Sequence, residues 1–120
     1  MPSAMRLLLT ALCLFAALGC ANDPPYQNCS RTVLCGGDTS LCLSTTAPSG
    51  RTALFCTSRC TTPTGAASSE CPANSACVRL NNGDPVCLLR CTTDAECPFT
   101  NGACLVTADS MGQRVCVVRP

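Results

Sequence analysis

The sequence of 120 residues contains no His, no Trp and no Lys. Without His, the chain can form neither a Ser-His nor a Cys-His nucleophile pair, and a His-ligated metal site is excluded. Beyond residue 19, the only aromatic side chains are Tyr26, Phe55 and Phe99. Because so few large side chains bury little apolar area, a small domain of this composition needs covalent cross-links.

Charge is also scarce, and neither sign dominates. Eight Arg residues are balanced by seven Asp and Glu residues, which gives a formal net charge of +1. No strong electrostatic field steers such a chain toward nucleic acid, so we predict no nucleic-acid partner. The sequence contains no paired catalytic residues, and we predict neither enzymatic activity nor a cofactor.

Four charged residues near cysteines are candidates for a chemical role. Asp94 and Glu96 could act as calcium ligands or as an acid–base pair, but we interpret them as a turn acid and a solvated surface charge. Arg59 and Arg90 precede matching cysteines and could form a stripe for an anionic partner. We interpret them as charges that solvate the edges of strands.

Cysteine, in contrast, is abundant, with 14 residues among the 120. A content above about 8–10% in a short secreted chain indicates a disulfide scaffold. The spacing Cys-x-x-x-Cys at 56–60 and at 87–91 could hold zinc. However, the sequence has no Cys-x-x-Cys pair, and an exported chain meets oxidising conditions. We therefore predict disulfides, and neither a metal nor a redox-active dithiol.

Residues 1–19 have the pattern of a helical signal peptide. Arg6 supplies a positive charge whether Met1 or Met5 is the start, and a mostly apolar run from Leu7 to Leu18 follows it. About a dozen residues suit the apolar part of an export signal and fall short of the roughly 20 that a spanning helix needs.

The apolar run ends in the sequence Ala-Ala-Leu-Gly-Cys at residues 16–20. This segment resembles the lipobox of bacterial lipoproteins, which signal peptidase II recognises, although Ala17 stands where Leu is usual. The resemblance implies that the Cys20 thiol receives a diacylglyceryl group, that the preceding bond is cut and that the new amine is acylated. The alternative is plain secretion, with cleavage after Ala21 by signal peptidase I.

A lipid on Cys20 would hold the chain on a membrane, because each buried methylene group contributes about 0.8 kcal/mol. Residues 20–28 would then be the lipidated Cys and a polar tether, which Pro24-Pro25 stiffens and which reaches roughly 25–30 Å. The residue after Cys20 is Ala21, not the Asp that retains enteric lipoproteins in the inner membrane. This favours the outer membrane. We expect an exported, lipid-anchored bacterial protein, with free secretion as the alternative.

The cysteines from position 29 onward form three sets of four, whose first members are 31 residues apart. The sets are Cys29, Cys35, Cys42 and Cys56; Cys60, Cys71, Cys77 and Cys87; and Cys91, Cys97, Cys104 and Cys116. Flanking residues also repeat, since Arg-Cys-Thr-Thr at 59–62 returns at 90–93 and Glu-Cys-Pro at 70–72 returns at 96–98. A fixed period indicates tandem supersecondary units. We assign a cysteine-rich domain to residues 29–120, with units at 29–59, 60–90 and 91–120.

Each unit is predicted to end in a β-hairpin. Turn signals at 48–50, 81–84 and 109–112 lie near the midpoint between the third and fourth cysteines of their units. Those two cysteines should face each other at about 4.5–5.5 Å between Cα atoms, which is within disulfide range. A direct third-to-fourth bridge fits this geometry, and so does a crossed pairing of first with third and second with fourth. We favour the crossed pairing because it fixes the loop against the hairpin.

The predicted fold class is therefore a small disulfide-rich protein of three tandem four-cysteine units, each a loop plus a short β-hairpin, with little regular secondary structure. The cysteine pattern of residues 94–117 is similar to cysteine-rich repeats of bacterial envelope lipoproteins and to the N-terminal cysteine-rich region of the Dickkopf family. This resemblance implies a binding role. We expect a structural or binding module with a protein or envelope-polymer partner. The alternative is a secreted protease inhibitor that presents a loop at 48–52 or 65–69.

Overall fold

A computed structural model describes residues 24–80 and 83–120. The predicted signal peptide and Cys20 lie outside the described residues, as do Asn81 and Asn82 of the second turn signal. The described part contains three two-stranded sheets, and no helix in it is long or apolar enough to cross a bilayer. The elements are β1 (Leu41–Thr46), β2 (Thr52–Thr57), β3 (Ser75–Arg79), β4 (Pro85–Leu89), a 3-10 helix (Asp94–Glu96), β5 (Gly102–Val106) and β6 (Arg114–Val118).

Each sheet is one antiparallel hairpin, formed by strands that follow each other in the sequence. In every hairpin the third cysteine of the unit faces the fourth directly. The facing pairs are Cys42 and Cys56, Cys77 and Cys87, and Cys104 and Cys116. The prediction of three hairpins with opposed cysteines is confirmed, and so is the small disulfide-rich fold class.

Alternation along the strands gives each hairpin two faces. The third and fourth cysteines point to one side, which we call the cysteine face. The residues next to them point to the opposite side, toward the centre of the domain. On this side Leu88 of β4 and Val115 of β6 are fully buried, and Phe55 of β2 is 1% exposed.

A short lead-in segment precedes each unit and forms one bridge to the second strand of that unit's hairpin. The bridged pairs are Asn28 and Phe55, Arg59 and Val86, and Arg90 and Val115. The Cys that follows the lead-in then donates its N–H to the same strand, as Cys60 does to the Pro85 carbonyl at 3.1 Å. The chain thus passes from the hairpin of one unit into the lead-in segment of the next. This explains why three residues separate the last cysteine of one unit from the first cysteine of the next.

The three units share one core, although they are repeats. The second strands of the hairpins, β2, β4 and β6, contact one another. Phe55 of unit 1 stacks on Phe99 of unit 3, with ring centroids 4.2 Å apart and planes 11° from parallel. The Thr57 hydroxyl of unit 1 donates a hydrogen bond to the Cys87 carbonyl of unit 2. The three units of the described domain are therefore packed together and do not form independent domains.

The tether predicted for residues 20–28 is too long, because its last three residues belong to the domain. Tyr26 is 1% exposed, and its hydroxyl donates a 2.6 Å hydrogen bond to the Ser75 hydroxyl of unit 2. The Gln27 carbonyl accepts the Cys56 N–H at 2.8 Å. Residues 26–28 are therefore part of the packed domain, and the predicted tether can extend no further than Pro25. Polar neighbours and the paired prolines suggested a solvated linker, but a Tyr side chain has enough apolar area to dock the segment.

Burial of Tyr26 has a consequence that alkaline titration can measure. Loss of hydration raises the pKa of Tyr26 to about 12. Since the chain has one Tyr and no Trp, its phenolate absorbance reports Tyr26 alone. Neutral Tyr26 stabilises the fold fully below about pH 10, and this contribution is lost as pH rises toward 12.

We expect a phenolate midpoint near pH 12 in the folded, oxidised chain and near pH 10 in the denatured chain. The measurement is a rapid pH jump that reads absorbance before disulfides exchange. The denatured chain is the matched control, because it carries the same Tyr in water. A folded-state midpoint near 10 would contradict the burial of Tyr26.

Candidate functional site

All 12 cysteines of the described residues are paired in six disulfides, and each disulfide lies within one unit. The pairs are Cys29–Cys42, Cys35–Cys56, Cys60–Cys77, Cys71–Cys87, Cys91–Cys104 and Cys97–Cys116. Their Cα–Cα distances lie between 5.4 Å and 5.9 Å. This is the crossed pattern that the sequence favoured, and it fixes each loop to both strands of its hairpin.

The Cys-x-x-x-Cys spacings considered for zinc connect different units. Cys56 is bonded to Cys35, whereas Cys60 is bonded to Cys77, so the two sulfurs belong to separate bridges. Each unit does hold three cysteine sulfurs within 4.8 Å of one another. In every case these are one disulfide and the nearest sulfur of its neighbour, which is the geometry that crossed bridges produce.

The repeated Glu before the second cysteine closes the loop of units 2 and 3. The Glu70 carboxylate accepts the N–H groups of Thr61 and Thr62 at 3.2 Å. In unit 3, Glu96 accepts the N–H groups that follow Cys91 in the same way, at 3.1 Å. Hydrogen bonds from the facing Thr hydroxyl and backbone hold the pKa of each carboxyl below its usual value. Thus the recurrence of Thr-Thr and Glu in two units reflects one loop-closing contact.

Asp94 performs a second structural task in unit 3. One carboxylate oxygen accepts the N–H of Cys104 at 2.8 Å, and the other accepts the Arg119 guanidinium at 3.2 Å. The hydrogen bond from Cys104 lowers the pKa of Asp94, and Arg119 adds to this effect. In unit 2 the hydroxyl of Thr64 accepts the equivalent N–H, that of Cys77, at 3.3 Å. In this way both units cover the outer edge of the first hairpin strand.

The matching residues Arg59 and Arg90 have different partners. Arg59 forms an exposed ion pair with Asp84 at 3.8 Å, and such surface pairs contribute little stability. Arg90 donates from Nε to the side chain of Gln113 at 3.2 Å. Each of the two Arg side chains thus contacts the unit that follows its own.

A cleft of about 370 Å³ lies between the tips of hairpins 1 and 3. Phe55, Leu105 and Val117 give it mainly apolar walls. Thr45 and Thr107 also line it, and their buried hydroxyl oxygens have no hydrogen-bond partner within the described chain. Its mainly apolar walls make this cleft a candidate site for a small apolar ligand or side chain.

The two loops considered for protease inhibition are both folded back on their own units. The hairpin tip at 48–51 is closed by hydrogen bonds from Ala47 to Arg51 at 2.8 Å and from Gly50 to Ala47 at 2.9 Å. In the 65–69 loop, Ser68 donates its N–H to the Ser75 carbonyl at 2.8 Å. An inhibitor loop that binds a protease as an added β-strand needs an extended segment. Neither loop offers one, so the geometry gives the inhibitor role no specific support.

The loop-closing role of Glu70 and Glu96 was not predicted from the sequence. Both residues stand directly before the second cysteine of their units, which was the available signal. Their separation from Thr-Thr differs between the units, because unit 2 has a longer loop, and spacing alone therefore concealed the contact. No protein-family model, curated protein or solved structure matches the chain. Function must therefore be inferred from the residues of this chain alone.

Proposed function

We propose that this chain is an exported bacterial lipoprotein that is lipidated on Cys20 and displays a non-catalytic binding or structural domain. In this proposal the signal peptide at 1–19 is removed, residues 20–25 form the tether, and residues 26–120 form the displayed domain. Ala21 after the lipidated Cys favours the outer membrane. Cleavage after Ala21 and free secretion is the competing outcome.

The position of Cys20 in a lipobox-like segment carries this proposal, and the complete internal pairing of the domain is compatible with it. The 12 cysteines from position 29 onward are all bonded to one another, so the domain offers Cys20 no disulfide partner. Cys20 directly follows an apolar leader and a Gly, which is the position of the modified Cys in a lipobox. Six disulfides are compatible with an exported protein, because such bridges persist in oxidising compartments.

The contacts of the acidic residues support a non-catalytic role. Glu70, Asp94 and Glu96 direct their carboxylate oxygens to backbone N–H groups of the loops and strands. A general acid or base instead needs a carboxyl that faces a substrate. The mainly apolar cleft between the tips of hairpins 1 and 3 supports a binding role for the displayed domain.

Intact mass spectrometry of the membrane-extracted protein tests the lipid anchor. In a bacterial host with lipoprotein-processing enzymes, we expect a chain that begins at Cys20 and carries acyl chains. Cys20→Ala should abolish acylation and leave the signal peptide attached, because the peptidase acts on the lipidated Cys. Cys13→Ala is the matched control, since Cys13 leaves with the leader and the mature mass should not change.

A mass that begins at Asn22 without acyl chains would overturn the lipoprotein proposal in favour of secretion. An acylated product of the Cys20→Ala variant would also contradict it, because the lipid would then reside elsewhere. The same spectra count the disulfides, since each bridge lowers the mass by two hydrogen atoms.

A further inference from the structure

Unit 1 exposes a group of aliphatic side chains near the point where the tether enters the domain. Val33 is 53% exposed, Leu34 is 74% exposed and Leu54 is 40% exposed. We call these three residues the unit 1 patch. Only two other large apolar side chains of the described chain are comparably exposed, and both belong to unit 3. Exposed aliphatic side chains that are adjacent in the chain make this group a candidate contact surface.

The patch is open because the loop of unit 1 does not cover its hairpin as the other loops do. The first strands of units 2 and 3 are hydrogen-bonded to their loops through Cys77 and Cys104. In unit 1, Thr32 stands at the position of Asp94, three residues after the first cysteine. It donates its N–H to Ser30 within the loop, at 3.2 Å. The backbone of Thr32 is therefore hydrogen-bonded within the loop rather than to β1.

Exposure of the third cysteine shows the same difference. Cys42 of unit 1 is exposed, whereas Cys77 is fully buried and Cys104 is 3% exposed. On the cysteine face of hairpin 1, Ser44 and Leu54 face each other across the strands and are both exposed. Unit 1 thus differs from its two sister units in the exposure of its third cysteine.

A chain of short contacts places Leu34 near the root of the tether. Leu34 adjoins Cys35, whose Cα is 5.5 Å from that of Cys56. Cys56 in turn donates its N–H to the Gln27 carbonyl at 2.8 Å. The Cα–Cα step from Leu34 to Cys35 and the distance between hydrogen-bonded strands complete the path from Leu34 to Gln27. Leu34 therefore lies within about 15 Å of Gln27. Since Pro25 lies two residues before Gln27, the patch is within about 25 Å of the point where the tether meets the domain.

The tether is too short to let this end leave a membrane. From Cys20 to Pro25 the chain spans at most about 20 Å. If Cys20 carries the lipid, Leu34 can therefore be no farther than a few tens of ångströms from the bilayer and can reach it by a rotation of the domain.

We propose that the unit 1 patch rests on the lipid surface that holds the anchor, with Val33 and Leu34 in the interfacial region. This inference rests on the proposed lipidation of Cys20. Aliphatic side chains at a bilayer surface gain free energy from the apolar area that they bury. The charges of this loop, Arg31 and Asp38, are both exposed and balance each other. The contact is therefore apolar and should change little with salt.

Tethered vesicles test the proposal without relying on cellular lipidation. The mature chain from Cys20 is coupled by its thiol to a maleimide lipid, while the other 12 cysteines remain in disulfides. Because the chain has no Trp, Leu34→Trp introduces a single reporter at the patch. Val106→Trp is the control, since Val106 is also exposed, at 56%, but shares the cleft at the tips of hairpins 1 and 3.

We expect lipids with brominated acyl chains to quench about half or more of the emission of the Leu34→Trp variant, and to shift its maximum to the blue, since interfacial side chains lie about 5–10 Å into the bilayer. The Val106→Trp emission should be unchanged. Adding Val33→Asp to the Leu34→Trp variant should reduce the quenched population roughly tenfold, because it removes an apolar contact and adds a charge. Disulfide counting by mass confirms that each variant is folded.

Absence of quenching in the Leu34→Trp variant overturns the patch proposal, even where cellular Cys20 is lipidated. Equal quenching in both Trp variants also overturns it, because the domain would then lie on the membrane without a preferred side. Concentration-dependent blue shifts in the absence of vesicles would assign the patch to a second copy of the chain instead. A missing lipid on cellular Cys20 overturns only the anchor, because the coupling in this experiment is chemical.

Discussion

Replacing Cys97 and Cys116 together by Ala should lower the free energy of unfolding by about 4–5 kcal/mol. The bridge between them spans 19 residues, and closing a loop of that size restricts the unfolded chain by roughly 3 kcal/mol. Cys116 is fully buried, so its loss also removes packing at the centre of the domain. Denaturant unfolding without reductant, followed by circular dichroism, measures the change.

The matched control is the double replacement of Cys29 and Cys42 by Ala. This bridge spans 13 residues; its Cys29 end is 5% exposed and its Cys42 end is exposed, so we expect a loss of about 3 kcal/mol, mainly from chain entropy. Replacing both partners leaves no free thiol in either variant. Equal losses in the two variants would contradict a packing role for the buried bridge. A loss below about 1 kcal/mol in either would contradict the view that disulfides replace a large core.

The difference between the two variants depends on which cysteines pair and on how the loops lie on the hairpins. The sequence could predict these features only in part. The third and fourth cysteines lie at nearly equal distances from each turn, and this symmetry determined their opposition in hairpins such as Cys77 with Cys87. The crossed pairing was favoured but not determined, because a direct bridge satisfies the same distance. The hydrogen bonds that join the loops of units 2 and 3 to β3 and β5 depend on Thr64 and Asp94, whose roles cysteine spacing does not reveal.

The docking of Tyr26 and Phe99 could not be predicted for a different reason. Both contacts join residues far apart in the chain, Tyr26 with Ser75 of unit 2 and Phe99 with Phe55 of unit 1. Local patterns describe a unit and its hairpin, whereas these contacts depend on how the units pack. Among the aromatic residues beyond position 19, all three are used at such junctions, so a scarce residue type marks the shared core.

Phe55→Ala should lower the free energy of unfolding by about 3–5 kcal/mol, which is the typical cost of deleting a buried aromatic ring. Phe55 is 1% exposed, and its ring stacks on Phe99, which is 4% exposed. The loss is large for a domain with few other large side chains, because folded domains are stabilised by only about 5–15 kcal/mol in total. Phe55→Leu is the control, since it keeps most of the apolar volume, and should cost less than half as much.

A double-mutant cycle with Phe99→Ala separates the stacking from simple burial. If the rings couple unit 1 to unit 3, the two losses should fall short of additivity by about 0.5–1.5 kcal/mol. Both sites lie outside the disulfides, so the oxidised chain remains cross-linked within each unit, and the cycle measures association between units. Additive losses would mean that each ring packs against its own unit and that the other contacts between units hold the three repeats together. Non-additive losses, together with a single unfolding transition, would establish that the stack couples unit 1 to unit 3 within one cooperative domain.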